Sequence, residues 1–378
     1  MAGIYLHIPF CKQACTYCNF HFTTSLHYKD KLVNALMREA EAEKDYLLNE
    51  PVQTIYFGGG TPSLLTTTDC EKIMNAIYRN FTISTNVECT IEANPDDINS
   101  EKLKGWKGAG VNRLSIGVQS FQEKELQWMN RAHNAEQSIQ CIELSRQNGF
   151  ENFSIDLIYG SPLLTDDQWK ENVSKALSFQ IPHLSCYALT VEEKTPLYKN
   201  IMTNSVRDVN TDQQANQFLL LMQWMRENGY EHYEVSNFAR PGHRCRHNEA
   251  YWTGLPYFAA GPGAARYIAG RREMNHRSTT TYIQRVLSGQ SPVAESEELA
   301  PEDHARERLV FALRRLEGIS PAEFEQETGY SVGQLIAAPL ARFIAQGLFD
   351  HTPDNLRLTR RGLLVSDALW PAFLTPVS

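Results

Sequence analysis

The sequence predicts an α/β protein whose first half is a parallel β/α barrel or partial barrel and whose last part is a helical, winged-helix-like region. Three observations predict it. Short β-branched or apolar runs alternate six times with longer stretches, several of helical spacing; polar or glycine-rich residues follow nearly every short run; and the alternation ends near residue 200.

The expected strands are "GIYLHI" (3–8), "TIYFGG" (54–59), "ECTIEAN" (88–94), "RLSIGV" (113–118), "FSIDLIYG" (153–160) and "LSCYAL" (184–189). Between them, "YKDKLVNALMREAEAEKDYLL" and "AEQSIQCIELSRQNG" have the spacing of amphipathic helices, the second closed by Gly149 as a C-cap. Strands separated by helices of ten or more residues form βαβ units and hence a parallel sheet. The residues that follow the strands, Cys11, Gly58 to Thr61, Glu92 to Pro95, Gln119, Asp156 and Thr190, then converge on one face, where such barrels bind ligands.

After residue 200, "TDQQANQFLLLMQWMRENGY" reads as an amphipathic helix, "YEHYEVSNF" as a strand and "ARPGHRCRHNEAYW" as a polar turn. From about residue 300 the pattern is of short helices and a hairpin. The expected organisation is therefore a barrel over 1–200, an extension of it over 201–300 and a C-terminal module over 301–378. Winged-helix modules often bind DNA, yet residues 301–378 carry ten acidic and eight basic side chains, so the electrostatic footprint is missing and no nucleic-acid partner is expected.

Composition narrows the setting. With 42% hydrophobic and 21% charged residues the chain is ordinary globular material, and 378 residues suit two or three domains. A net charge of -8 argues against a general polyanion binder, because such affinity comes from counterions released by excess Lys and Arg. No apolar run reaches the roughly 18 residues of a membrane span. The opening "MAGIYLHIPF" has no basic n-region or small-residue cleavage site, so no secretory signal is expected. Three of the eight cysteines are bunched, which in an intracellular chain points to metal rather than to disulfides, and the reducing cytoplasm is the expected compartment.

The bunch is Cys11, Cys15 and Cys18, a C-x3-C-x2-C spacing. Three thiolates fill three positions on a metal centre. A structural zinc site would close the fourth with another Cys or His, and His21 stands three residues after Cys18. An iron–sulfur cluster is the other option, and a 4Fe-4S cluster on three cysteines leaves one iron open to a small molecule.

That spacing resembles the radical S-adenosylmethionine family, as does "GGGTP" (58–62) directly after a strand. The resemblance implies a 4Fe-4S cluster on the three cysteines, with S-adenosylmethionine chelating the fourth iron, on a partial parallel (β/α)6 barrel of radical SAM type. "YLHIPFC", "GGGTPS", "IEANP", "NRLSIGVQSF", "IDLIYGSP" and "NFARPG" further resemble, in the same order, oxygen-independent coproporphyrinogen III oxidases and the related haem chaperones of the HemW type. The match covers residues 4 to about 270. By motif position the implied S-adenosylmethionine contacts are Tyr5, Tyr17, Gly59, Gly60, Thr61, Glu92, Gln119, Arg131 and Asp156.

Two features separate the branches. The oxidases resemble C-x3-C-x2-C-x-C, but the last position here is Phe20, while "HNEAYW" (247–252) is similar to the H-N-x-x-Y-W pattern of the haem chaperones. The resemblance implies haem binding at His247. A neutral imidazole is a common axial ligand, Tyr251 and Trp252 could offer flat surfaces to a porphyrin, and Cys245 is a candidate second ligand. The expected function is binding haem and delivering it to acceptor haemoproteins, with no catalytic residue assigned and a homodimer allowed. The alternative is an enzyme, oxygen-independent coproporphyrinogen III oxidation by a 5′-deoxyadenosyl radical.

Overall fold

The structure, a computed structural model, describes residues 1–375; the last three residues of the expected C-terminal module lie outside them. Strands β1 (Ala2–Ile8), β2 (Val52–Gly59), β3 (Ile83–Ala93), β4 (Arg113–Gln119), β5 (Phe153–Tyr159) and β6 (His183–Ala188) lie side by side in chain order, every pair parallel. The crossovers carry α1 (Lys29–Ala42), α2 (Thr67–Asn80), α3 (Ser100–Gly108), α4 (Glu123–Trp128), α5 (Ala135–Gln147) and α6 (Asp166–Ser178). The six strands and two helices expected above are present.

Local chemistry starts and stops these helices. Reciprocal capping boxes open α2 (Thr66 with Asp69), α5 (Asn134 with Gln137) and α6 (Thr165 with Gln168). Gly149, at φ +78°, follows α5 as the left-handed residue that ends it. The helix expected to run to residue 48 stops at Ala42 instead. The chain turns there because Tyr46 and Leu47 are drawn into the core, Tyr46 against Phe258 and under the Arg266 guanidinium.

The two-residue period of the strands sorts the barrel into two environments. One set of alternate residues, including Ile4, Leu6, Ile55, Phe57, Ile91, Leu114, Ile116, Ile155 and Leu184, is fully buried in the hydrophobic core. The other set points inward and is polar: Tyr5 on β1, Tyr56 on β2, Glu92 on β3, Arg113 and Ser115 on β4, Ser154 and Asp156 on β5, His183 and Ser185 on β6. Barrels of this kind are usually filled by branched apolar side chains. This one keeps a polar interior.

Beyond residue 195 come α7 (Pro196–Met202), α8 (Thr211–Glu227), β7 (Glu231–Glu234), β8 (Asn237–Ala239), α9 (Arg246–Trp252), β9 (Tyr257–Ala260), β10 (Ala265–Ile268), β11 (Arg271–Asn275), α10 (Thr279–Leu287) and β12 (Val293–Glu298). These strands extend the same sheet at both edges, giving the order β12-β11-β10-β9-β1-β2-β3-β4-β5-β6-β8-β7. Two expectations are corrected. The single strand expected over 230–238 is a hairpin, because the Glu234 carboxylate accepts from Ser236 N and the Asn237 side chain and turns the chain so that β8 can pair with β6. The polar turn expected over 239–252 contains a helix, α9, packed against β1, β2 and the following helix α11 (Pro301–Ala312).

The C-terminal module adds α12 (Pro321–Thr328), α13 (Val332–Ala345) and the hairpin of β13 (Phe349–His351) and β14 (Leu356–Leu358), around Phe343, Phe349 and Phe373. Its buried Arg306 is satisfied by Glu302 and the carbonyls of Leu335 and Phe373. Among the described residues no helix is long and apolar enough to cross a membrane.

Candidate functional site

At the C-terminal ends of the parallel strands a pocket of about 630 Å³ opens to solvent. Cys11, Cys15 and Cys18 enter it on the loop that follows β1, all three half-buried and unpaired. Ties to three other segments hold the loop. Lys12 forms ion pairs with Asp96 and Asp97, Gln13 donates to the Asn130 carbonyl at 2.8 Å, and Asn130 donates back to the Ala14 carbonyl at 2.7 Å. Thr16 N–H bonds the Met129 carbonyl, and the Thr16 carbonyl accepts from Leu197.

The glycine turn after β2 is glycine for steric reasons. A Cβ on Gly58 would lie 2.8 Å from the Tyr5 ring, and one on Gly60 would lie 2.7 Å from the Phe10 carbonyl oxygen and 3.0 Å from Cys11 Sγ. Gly59 also has φ +114°, which L side chains avoid. The turn thus lets the backbone pass against the cysteine loop, and Thr61 at its end donates a hydrogen bond to Cys11 Sγ at 3.4 Å.

Arg131 reaches the same place from the segment between α4 and α5. It donates to Cys15 Sγ at 3.3 Å, to Asn94 Oδ1 at 2.8 Å and to the Gly117 carbonyl at 2.9 Å. Burial pushes the Cys11 thiol up to about 11, and Thr61 and Arg131 work against that by favouring the thiolate. Tyr17 lies beside Arg131 with its phenol pushed up by burial. Glu92 accepts from Tyr56 OH at 2.9 Å and from Gly59 N–H at 3.2 Å; burial and then the nearby Asp156 push its carboxyl up to about 8. Asp156 is pushed up to about 6 by burial, opposed by Ser185 and the Arg113 charge. Gln119 closes β4 in a left-handed conformation, φ +65°.

The structure therefore gathers the three cysteines with Tyr17, Gly59, Gly60, Thr61, Glu92, Gln119, Arg131 and Asp156 in one pocket. Tyr5 and His247 are elsewhere. They line a second, polar cavity of about 230 Å³ deeper in the barrel, which shares Glu92 and Asp156 with the mouth. Asn94 and Lys12 are functional residues that the sequence reading did not single out. Asn94 links Arg131 to Thr61; it lies within the Glu92 to Pro95 stretch expected on this face and within the "IEANP" motif, where the sequence reading gives it no role of its own.

His247 projects from α9 into the floor of the barrel and is only 2% exposed. Its Nδ1 is 2.8 Å from Thr54 Oγ1, its Nε2 is 2.9 Å from Tyr251 OH, and its ring stacks on Tyr56 at 4.8 Å. Both ring nitrogens are engaged, and burial with the Arg113 charge pushes its pKa down to about 3, so it is neutral. Cys245 is buried against Glu88, with its thiol pushed up to about 12. Trp252 faces away, packed on Phe311 and under Arg314.

An open parallel β/α barrel whose mouth presents three cysteines beside a glycine turn defines a class, the Radical SAM superfamily, whose family model matches residues 5–176; the model of the HemN C-terminal domain matches residues 299–365. The chain is 34% identical to heme chaperone HemW of Bacillus subtilis over 99% of both chains, and 30% identical to heme chaperone HemW of Escherichia coli over 98% of both. Within that superfamily, the chain belongs to the HemW family. Its fold matches that of Escherichia coli coproporphyrinogen III oxidase (HemN) with a TM-score of 0.86, covering 99% of this chain and 90% of that one at 22% identity.

Proposed function

We propose that the protein is a haem chaperone, which binds haem and passes it to acceptor haemoproteins, with a 4Fe-4S cluster and S-adenosylmethionine in the barrel mouth. The observation that carries it is full-length similarity to proteins named heme chaperone HemW, joined to Phe20 standing 70% exposed at the mouth where the oxidases resemble a further cysteine. The three unpaired thiols suit a reducing compartment, and on this reading the protein works in the cytoplasm.

Cys11, Cys15 and Cys18 are the residues that would hold the cluster. A 4Fe-4S cluster on three thiolates supplies an iron with an open position for the amino and carboxylate groups of S-adenosylmethionine. The donor set suits it, because Arg131 and Thr61 each offer a proton to a sulfur and so favour thiolate over thiol. A single zinc ion suits it less: among the described residues no three His, Cys, Asp or Glu side chains converge tightly enough to hold one metal ion, and His21 stacks beside His7. Glu92, Asp156 and Gln119 would orient the cofactor through its amine and hydroxyl groups, and the Lys12 and Asn130 ties hold the loop ready.

Haem is assigned to the His247 motif, and the geometry sets a condition on it. A cavity of about 230 Å³ is below the usual range for drug-sized ligands and smaller still against a porphyrin. For His247 to reach a haem iron, α9 must lift so that the ring leaves Thr54, and the ring must also give up its bond to Tyr251 on the same helix. Titration of the cluster-loaded protein with haem, followed by its Soret band, tests the reading. A saturable band that is lost in His247→Ala is expected; equal binding by wild type and variant would remove the motif from the proposal.

The alternative activity is tested on the same preparation. Anaerobic protein with reductant and S-adenosylmethionine is expected to leave coproporphyrinogen III unconverted, whereas formation of protoporphyrinogen IX would make the protein an oxidase that works without the extra cysteine.

A further inference from the structure

The inner cavity holds a group for which the haem and cofactor readings have no use. Arg113, the first residue of β4, is 1% exposed, and its Nε and Nη2 are buried with no hydrogen-bond partner. It forms no ion pair among the described residues. A buried guanidinium without an acceptor costs several kcal/mol, so unpaired arginines are rare in protein interiors. The contrast with Arg306, whose donors meet a carboxylate and two carbonyls, shows what a merely structural buried arginine looks like in this chain.

The walls around Arg113 are suited to an acceptor-bearing ligand. Ser115 and Ser154 join hydroxyls at 3.0 Å on neighbouring strands, and His183 offers a buried Nδ1 that has no partner while its Nε2 is held by Tyr233 OH at 2.7 Å. A guanidinium has only donors, so the atoms it meets must be acceptors, and a planar oxyanion satisfies two parallel donors at once. The volume of about 230 Å³ corresponds to roughly seven waters at about 30 Å³ each, room for an anion of a few heavy atoms with its residual water. Glu92 and Asp156 also line the cavity and the Glu88 charge acts on Arg113, so an occupant with more than one negative charge would be repelled.

We propose that the barrel interior carries a binding site for a small planar monoanion, a carboxylate or bicarbonate, held by Arg113 with Ser115, Ser154 and His183, between the cofactor pocket and the α9 floor. Its occupant touches the wall shared with the mouth on one side and the residues beside His247 on the other.

Cluster-loaded protein titrated with sodium acetate, and separately with sodium bicarbonate, at constant ionic strength made up with chloride, tests the site. The readouts are the thermal midpoint and the line width of 13C-labelled acetate or bicarbonate. We expect saturable stabilisation and broadening by at least one of the two, unchanged by S-adenosylmethionine, and weakened about tenfold or more in Arg113→Lys, which keeps the charge but loses the fork. Should that variant fail to fold, Ser154→Val leaves Arg113 intact, fills the cavity wall and is expected to abolish the same saturation. Absence of saturable binding by either anion, survival of binding in Ser154→Val, or displacement of the anion by S-adenosylmethionine, which would put it in the mouth, each overturns the proposal.

Discussion

The mouth and the floor of the barrel are built from the same six strands, yet they treat their functional side chains in opposite ways. At the mouth, the three cysteines are half-exposed, Phe20 stands in solvent, and the sulfurs meet isolated donors from Thr61, Arg131 and the Phe20 backbone. At the floor, the imidazole of His247 is buried, stacked and bonded at both nitrogens. The mouth is open to a ligand in the present conformation; the floor is satisfied by its own protein. A motif that reads as a ligand site in sequence can therefore be closed in the fold, and closure is a physical property to be measured rather than a reason to discard the motif.

The largest expected effect breaks the mouth while leaving the rest of the fold alone. Cys15→Ser should abolish the visible iron–sulfur absorbance after anaerobic reconstitution, while shifting the stability of the cluster-free protein by no more than about 0.5 kcal/mol, since the side chain is half-exposed and a serine hydroxyl can still accept from Arg131. Retained cluster absorbance would show that the triad is not the ligand set.

The converse is expected at the floor. His247→Ala should leave cluster absorbance intact and destabilise the protein by about 2–4 kcal/mol in urea unfolding, because it opens a cavity and strands the hydroxyls of Thr54 and Tyr251. Thr54→Val alone should cost about 1–2 kcal/mol, and the double variant should cost less than the sum of the two, because the partners share one hydrogen bond. A His247→Ala protein as stable as wild type would mean that the floor is not held shut by this residue.

Between the two lies Gly60. Alanine there would press a Cβ to 2.7 Å from the Phe10 carbonyl and 3.0 Å from Cys11 Sγ, so Gly60→Ala is expected to cost about 1–3 kcal/mol and to lower cluster occupancy together with it. Stability lost without any change in occupancy would separate the turn from the cysteine loop.

The same contrast explains what was legible in the sequence. The mouth is local: C-x3-C-x2-C and GGGTP each lie within one loop at the end of a strand, and strand alternation brings such loops to one face. The six parallel strands were equally legible, since their outward faces are continuous apolar alternations. The floor is assembled from residues far apart. His247 meets Thr54, 193 positions away, and no spacing rule links α9 to the start of β2. The edge strands β10, β11 and β12 were not read because β10 is only four residues long and β11 and β12 are rich in arginine or glutamate paired across the sheet edge, as Arg272 is with Glu297, and so lack the apolar signal of a buried strand. Arg113 stood inside a quoted motif, but only the fold shows that its guanidinium is left without a partner.

The smallest effect concerns Glu92, the residue on the wall common to both cavities. Its carboxyl is pushed up to about 8 in the fold, from an unfolded value near 4.5, chiefly by burial and then by Asp156. Between those two values the folded state holds a proton that the unfolded state has released, so this contribution to stability is fully present below the unfolded value and is lost as pH rises through about 8. Asp156, at about 6, has completed its own loss by about that pH, which leaves the window from pH 6 to 8 to Glu92 among the carboxylates of this wall. Glu92→Gln mimics the protonated form, and the Tyr56 hydroxyl can turn to accept from the new amide, so below the unfolded value, where the folded and unfolded wild type both hold this proton, the substitution should cost no more than about 1 kcal/mol. Between about pH 6 and 8 the wild type should lose stability relative to the variant, by at most about 1.4 kcal/mol for each pH unit, and above pH 8 the difference should level off. Parallel urea midpoints of the two proteins from pH 6 to 8 would place this proton elsewhere. If instead the wild-type midpoint falls relative to the variant's as pH rises, the proton belongs to Glu92, and the boundary between mouth and floor is held by a neutral acid that a cationic cofactor can deprotonate on binding.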